Sequence, residues 1–315
     1  MHRLFSAVRS VARRKGRQTL SPKDGVSICV RNFYPAFDLR KGFWNLLMTQ
    51  AFGPFQVVED EEEADIVLMS VFPHAQARYP DKTIVIIGEN VRPRYDFYRF
   101  SLSCDFDTYG GRNFRLPEWY GELQWTGDLA PRIPCGSHGH EERVEIDSLL
   151  APREHIELRP KFCCLVSSYR EAHRALALEA LSQVGEVDVF GGMSGEPVLR
   201  SKYDFLREYR FNLCFENSIF PGYYTEKAFQ AWAAGCIPLY FSDPYFTVDF
   251  NPRAIINRIS FPTLAAFVEE VRRVNQSAEL MTQYLREPLL LERPSLEPAV
   301  AFLRRAAREI MGLSA

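Results

Sequence analysis

The sequence predicts an α/β protein built from two doubly wound, Rossmann-like parallel sheets that face each other across a cleft. Three observations carry this. First, several short runs are apolar without alternation: IVLMSVF (66–72), TIVIIGEN (83–90), FCCLVSS (162–168) and CIPLYFS (236–242). A strand reads this way when both faces of its sheet are covered, as in parallel sheets. Second, segments of helical periodicity separate these runs, which is the βα alternation of a doubly wound fold. Third, the alternation breaks over 126–159, where prolines, glycines and polar residues gather. It then resumes, so it occurs twice.

The elements follow in order. VSICVRNF (26–33) is a first strand, and LRKGFWNLLMTQAF (39–52) has helical spacing. The acidic DEEEAD (60–65) is a solvated entry to the strand at 66–72, and the run at 83–90 is closed by Gly88. The stretch 126–159 reads as a linker, or as a loop followed by a helix over 141–150. Beyond it come a strand at 162–168, a helix at 171–183, VDVFGG (187–192), RFNLCFEN (210–217), a helix at 225–234 and a strand at 236–242. FPTLAAFVEEVRRVN (261–275) is an amphipathic helix, and a last helix covers 298–311. The division expected is a basic segment 1–24, an acceptor-binding domain 25–150, a donor-binding domain 151–297 and a closing helix 298–315.

Composition narrows the function. The 315 residues carry a net charge of −2, so the chain as a whole is no nucleic-acid binder. No run reaches the ~18 apolar residues of a membrane span. The seven cysteines include no C-x-x-C pair and suit buried, reduced thiols in a cytoplasmic protein. MHRLFSAVRSVARRKGR at the start has six Lys or Arg and no acid, with Leu4, Phe5, Val8, Val11 and Ala12 on one helical face. It reads equally as a solvated tail or as a peripheral contact with an anionic membrane surface.

The chemistry concentrates in FENSIFPGYYTEK (215–227). It lies between the end of a strand and the start of a helix, which Thr225 is placed to cap and Gly235 to end. A helix N-terminus offers free N–H groups and partial positive charge, which suit phosphate. Lys227 adds a full charge, and Glu226 can accept hydrogen bonds from two hydroxyls of a sugar. On these grounds alone a ligand site and a plain capped βα loop are equally good readings.

YRFNLCFENSIFPGYYTEKAFQAWAAGCIPLYFSD resembles the signature of the α1,3/4-fucosyltransferases, glycosyltransferase family ten, which runs Y-K-F-x-L-x-F-E-N-S, then Y-V-T-E-K, then a helix and an I-P or V-P strand. FCCLVSSYREAHRALALEAL resembles the family's strand and arginine-bearing helix. VDFNPRAIINRISF is similar to its D-F-N-P segment, and EADIVLMSVF and IIGEN stand at its first-half positions. The resemblance implies a GT-B fold and inverting transfer of fucose from GDP-fucose to a hydroxyl of a GlcNAc-containing glycan in α1,3 linkage. A bacterial lipopolysaccharide chain is one such acceptor. It also implies no required metal or other cofactor. The cysteine content and the basic start of the chain together suit a location in the cytoplasm or at the inner face of the membrane. The family's donor-binding residues fall on Arg174, Asn217, Tyr223, Glu226 and Lys227, and its base on Glu89. Arg174 and Lys227 would stabilise the leaving diphosphate, and Glu89 would take the acceptor's proton. Without the resemblance, Arg174 is a solvated helix residue and Glu89 a strand-end acid.

The sequence departs from the pattern twice. Tyr224 replaces a valine, a change expected to matter little in a loop. Ser242 replaces a glycine near the donor pocket, which leaves another nucleotide sugar, or a glycan- or nucleotide-binding protein without catalysis, as alternatives. Three rival motifs remain. Asp105 and Asp107 form a D-x-D, read as a loop near the acceptor rather than a metal site. CGSHGH (135–140) reads as a flexible linker rather than a metal cluster. Gly191–Gly192 either approaches a phosphate or turns the chain. Glu118 and the Asp105/Asp107 pair are the next acids to consider should Glu89 not be the base.

Overall fold

The computed structural model describes residues 25–35, 37–71, 76–125, 143–168, 171–192 and 202–313. The basic start of the chain and the first half of the expected linker, residues 126–142 with the CGSHGH stretch, lie outside them.

The first half builds a six-stranded sheet from β1 (Val26–Arg31), β2 (Phe55–Val58), β3 (Ile66–Ser70), β4 (Thr83–Ile86), β5 (Phe100–Ser103) and β6 (Asn113–Arg115). Its order is β2-β1-β3-β4-β5-β6, and every pairing is parallel. Helix α1 (Gly42–Phe52) lies on one face. A short parallel pair, β7 (Leu123–Gln124) and β8 (Val144–Glu145), precedes the brief helix α2 (Ile146–Leu150). The helix expected from residue 141 therefore has strand geometry where it was to continue, at 144–145.

The second half has five parallel strands, β9 (Lys161–Val166), β10 (Val187–Phe190), β11 (Tyr209–Leu213), β12 (Ile237–Tyr240) and β13 (Ile256–Asn257), in the order β10-β9-β11-β12-β13. Its helices are α3 (Ala172–Leu181), α4 (Lys202–Leu206), α5 (Glu226–Ala233), α6 (Leu264–Asn275), α7 (Ala278–Arg286) and α8 (Glu297–Met311). The fold is thus α/β with two doubly wound parallel sheets, as the apolar runs predict. In such a sheet ligands bind beyond the carboxyl ends of the strands, where the strand order reverses. Here that point lies between β9 and β11.

Two packing features bring the halves together. The last helix, α8, returns to the first sheet: Phe302 meets Phe100 and Phe114 with ring centroids 6.1 and 5.6 Å away, and Arg304 donates to the Ala51 carbonyl at 3.1 Å. The largest apolar cluster is also shared, running from Ile28, Leu47 and Leu68 through Trp119 to Phe229, Tyr240 and Phe250. A second cluster fills the other face of the second sheet against α3, α6 and α7. Among the described residues no helix is long and apolar enough to cross a membrane, and Cys29, Cys104, Cys163, Cys164, Cys214 and Cys236 are buried, unpaired thiols.

The elements that periodicity did not reveal are short or polar. β2, β5, β6 and β13 have two to four residues each, below the length at which a pattern registers. α7 is amphipathic, with Met281 and Leu285 buried one turn apart, but it follows α6 almost without a break.

Candidate active site

The turn after β11 is organised by a residue that no role was assigned from sequence. Glu216 is fully buried, and its carboxylate accepts from the Thr225 backbone N–H at 2.8 Å, the Thr225 hydroxyl at 2.9 and 3.0 Å, the Tyr240 hydroxyl at 2.7 Å and Lys227 Nζ at 3.0 Å. A buried carboxylate persists only where it is paired and hydrogen-bonded. Glu216 meets both conditions, and so fixes the start of α5. Thr225 stands at the N-cap position with extended backbone, but its hydroxyl turns to Glu216 and not to the helix. The expected side-chain cap is therefore absent, because the carboxylate takes that hydroxyl.

Lys227 spends two of its three donors, on Glu216 and on the Thr225 hydroxyl at 2.8 Å. Burial works against its charge, but Glu216 and Glu226 outweigh burial and hold the ammonium above the ordinary lysine range. Glu226, one residue earlier, is pressed upward by burial and pulled further down by Lys227 and Lys202, so it stays ionised. Lys202, at the start of α4, has no sequence signal that marks it, since it enters this field only through the packing of α4 on α5.

Arg174 spans the point where the strand order reverses. It is 1 % exposed, and its guanidinium donates to Ser167 Oγ at 3.0 Å, to the Phe215 carbonyl at 2.7 and 3.2 Å and to Asn217 Oδ1 at 2.7 Å. The ends of β9 and β11 and the amide of Asn217 are thereby tied to one cation. The solvated-helix reading of Arg174 does not hold: α3 buries Arg174 with Ala177 and Leu181 on its inner face.

Glu89 lies in the loop after β4, half-buried, three residues past the end of that strand. The Tyr223 hydroxyl donates to its Oε2 at 3.4 Å, a long contact that joins the first-half loop to the second-half turn. Asn90 donates to Ser218 Oγ, and the guanidinium of Arg92 lies 3.2 Å from the Phe220 ring centroid. The G-E-N segment and FENSIFPGYY thus meet face to face. Burial, then Glu216 and Glu89, push the Tyr223 phenol far above its usual value, so it remains a donor.

Glu118 reaches the same cleft from a short 3₁₀ turn, Glu118–Glu122, that packs on α5. Its side chain is open to the cleft, and its Oε1 lies 3.9 Å from the place a side chain on Gly88 would occupy.

The remaining sequence expectations resolve as follows. Asp105 accepts from Tyr109 Oη at 2.6 Å and pairs with Arg92 at 3.1 Å, while Asp107 accepts from the Tyr109 backbone N–H at 2.8 Å. The D-x-D therefore shapes its own loop. Among the described residues no three His, Cys, Asp or Glu side chains are grouped to hold a metal. A side-chain carbon on Gly191 or Gly192 would lie 2.9 or 2.7 Å from the carbonyls of Ser167 and Ser168, so the pair lets two backbones approach. Ser242 is buried, with its hydroxyl 3.3 Å from Asn257 Nδ2 and from the Asp243 carbonyl. Tyr224 corrects the expectation made for it. It is buried, donates to both oxygens of Asp243 at 2.9 and 3.0 Å, and lies against Phe106 of the first half. A valine has no hydroxyl for that contact.

Two parallel doubly wound sheets, with acids and cations converging from both at the strand ends, define an α/β protein with a candidate site between the two sheets. Comparison with known proteins gives the family. Residues 28–121 match the N-terminal domain model of alpha-(1,3)-fucosyltransferase FucT, and residues 157–287 match the C-terminal model of glycosyltransferase family 10 (fucosyltransferase). The chain belongs to glycosyltransferase family 10. The Helicobacter pylori alpha-(1,3)-fucosyltransferase FucT is 27% identical over 210 residues, which are 61% of this chain and 44% of that protein. Mouse alpha-(1,3)-fucosyltransferase 7 is 38% identical over 154 residues, 47% of this chain and 37% of the other. This chain spans under half the length of these two relatives. A crystal structure of an alpha1,3-fucosyltransferase with GDP-fucose superposes with a TM-score of 0.71 at 21% identity, covering 93% of both chains, and shares the fold.

Proposed function

We infer that this chain is an inverting glycosyltransferase that moves fucose from GDP-fucose to a hydroxyl of a GlcNAc-containing glycan, forming an α1,3 linkage. The observation that carries this is the meeting of Glu89 with Tyr223 across the cleft, 3.4 Å apart, beside the Glu216–Lys227–Glu226 constellation. Inverting transfer needs a base on one side of the sugar and positive charge on the other. Glu89 enters from the first sheet. Lys227 and the N-terminus of α5 enter from the second, where a diphosphate gains both a charge and free backbone donors.

The residues divide the work. The unspent donor of Lys227 contacts the diphosphate. Arg174 holds Asn217 and the ends of β9 and β11 in place and adds its charge from beneath. Glu226, ionised, accepts hydroxyls of the ribose or the fucose and faces the positive charge that develops on the sugar. Tyr223 donates to Glu89 at rest and yields to the acceptor hydroxyl when that hydroxyl arrives. The matched family models, and the GDP-fucose bound to the similar crystal structure, support fucose as the transferred sugar. Ser242, turned to Asn257, leaves no specific reason to prefer another donor.

The test is a thermal-shift screen with GDP, UDP and CMP, followed by turnover with GDP-fucose and N-acetyllactosamine. Preferential stabilisation by GDP and release of GDP on adding acceptor are expected. Preference for UDP, or GDP binding without transfer, overturns the reading.

A further inference from the structure

We propose that Arg153 and Arg159 form a second anion site, outside the cleft, that takes a phosphate group. It lies at the amino-terminal ends of β9, β11 and β12, the opposite end of the second sheet from Glu216 and Lys227. It therefore does not depend on the reading of the cleft as a fucosyl-transfer site.

The two guanidiniums converge on one point. Arg153 Nη2 donates to the Trp232 carbonyl, and Arg159 Nη1 donates to Glu157 at 2.6 Å. The other terminal nitrogens, Arg153 Nη1 and Arg159 Nη2, have no acceptor among the described residues. These are the two that flank the space over Gly235. A side-chain carbon on Gly235 would lie 3.8 Å from the first and 3.6 Å from the second. The glycine leaves that space open.

Both arginines are held in place. The Arg153 backbone N–H donates to the Arg286 carbonyl at 3.2 Å, and its guanidinium carbon lies 3.8 Å from the Trp232 ring centroid. Arg210, in β11, donates from Nε to the Arg159 carbonyl at 2.7 Å and from Nη2 to the Pro160 carbonyl at 3.1 Å. Three arginines thus gather here. Among the described residues Glu157, itself largely exposed, is the only carboxylate in ion-pair range of any of them.

Capping of α5 does not account for the cluster. A cation is favourable near a helix C-terminus, but this one is closed by its own backbone: the Gly235 and Cys236 N–H groups donate to the Trp232 and Ala231 carbonyls at 2.9 and 3.0 Å. The Nε atoms of Arg153 and Arg159 are buried without an acceptor. Each charge has left water on that edge and gained no partner there, which is costly. Burial pulls the Arg153 guanidinium down to about 10 in spite of Cys236, and Arg159 adds to the fall. An anion over Gly235 relieves both charges. Phosphate suits it, with about −1.5 to −2 charge at pH 7 and several acceptor oxygens that two guanidinium forks bind together. A single carboxylate brings one charge, and Glu157 already supplies that to Arg159.

The test is a thermal-shift titration of the whole chain with inorganic phosphate, against chloride at equal ionic strength. A saturable rise in Tm is expected for wild type. Arg159→Gln should raise the half-saturating phosphate concentration about 10-fold or more, the worth of a hydrogen bond between charged groups. Arg159→Lys keeps the charge but not the fork and should fall between the two, which separates a lost contact from a general loss of stability. Lys227→Ala should keep the response, since Lys227 belongs to the cleft. The absence of a saturable rise overturns the proposal, and so does a rise that Arg159→Gln leaves unchanged. Vesicle flotation distinguishes the sources of the phosphate. Binding to phosphatidylcholine vesicles that contain phosphatidic acid, lost in Arg159→Gln, assigns the site to a phospholipid headgroup. A Tm response without Arg159-dependent flotation assigns it to a soluble phosphate.

Discussion

Arg115, at the end of β6, donates two hydrogen bonds to Asp249, 2.9 and 2.7 Å long, and so joins the first sheet to the D-F-N-P segment of the second half. The same Nη2 that meets Asp249 Oδ2 also donates to the Gly222 carbonyl at 3.2 Å, and Trp119 Nε1 donates to Asp249 too. Burial disfavours the guanidinium's charge, but Asp249 outweighs it and holds Arg115 above its usual value. Asp249→Asn replaces the carboxylate that faces the buried guanidinium with a single neutral acceptor. Breaking such a pair on one side costs about 3–5 kcal/mol. A clear fall in Tm is expected, together with weaker turnover, because the clamp sets the spacing of the cleft. An unchanged Tm would mean that the shared apolar cluster alone holds the halves.

Glu216→Gln should lower both Tm and affinity for GDP. The amide cannot serve Thr225, Tyr240 and Lys227 together as an anion does, and Lys227 loses its fixed position. The pH dependence follows from the direction of the lysine's shift. A lysine raised in the folded state contributes stability that is complete below its unfolded value, about 10.4, and that is lost as pH climbs through the folded one. The wild-type margin over Glu216→Gln should therefore hold steady from pH 7 to 9 and shrink only in stronger alkali. Chemical denaturation at several pH values measures it, and a margin that vanishes by pH 9 contradicts the pairing.

Glu89→Gln and Lys227→Ala should fail in different ways. A positioned base is worth about 10²–10⁴ in rate, and Gln cannot accept the proton. Glu89→Gln should lose kcat by that factor with GDP affinity nearly intact, since the donor contacts lie on the other sheet. Lys227→Ala should weaken GDP binding as well, by removing a charge-assisted contact. Calorimetry with GDP and steady-state kinetics separate the two. A Glu89→Gln enzyme that stays folded with near-normal kcat would move the base to another cleft acid.

Gly222→Ala should destabilise by more than about 1 kcal/mol. Gly222 has φ +94°, and a side-chain carbon there would stand 2.0 Å from the Cys104 carbonyl. That contact is where the first-half loop touches the turn bearing Tyr223, so the damage should reach activity too. Equal Tm values for the variant and wild type would show that the loop yields freely.

The long elements were legible in the sequence because burial on both faces writes continuous apolar runs, as in IVLMS of β3 and FCCLV of β9. The candidates Asn217, Tyr223, Glu226 and Lys227 were nameable because one long, specific motif carries them, and Arg174 and Glu89 because shorter segments resembling the same family do. Their partners were not. A carboxylate is equally plausible in water or in a core until its surroundings are known, so Glu216 read as one polar residue among several. Tyr224 read as a loop residue because Asp243 and Phe106, which bury it, lie 19 and 118 positions away in the chain. Glu118 belongs to the same class: its turn is pinned by Trp119 to residues of the other half. The chain by itself determined which groups are available and which strands and helices carry them. Tertiary structure decided which of those groups share a low-dielectric cleft, and there charge, hydrogen bonding and protonation depend on neighbours distant in sequence.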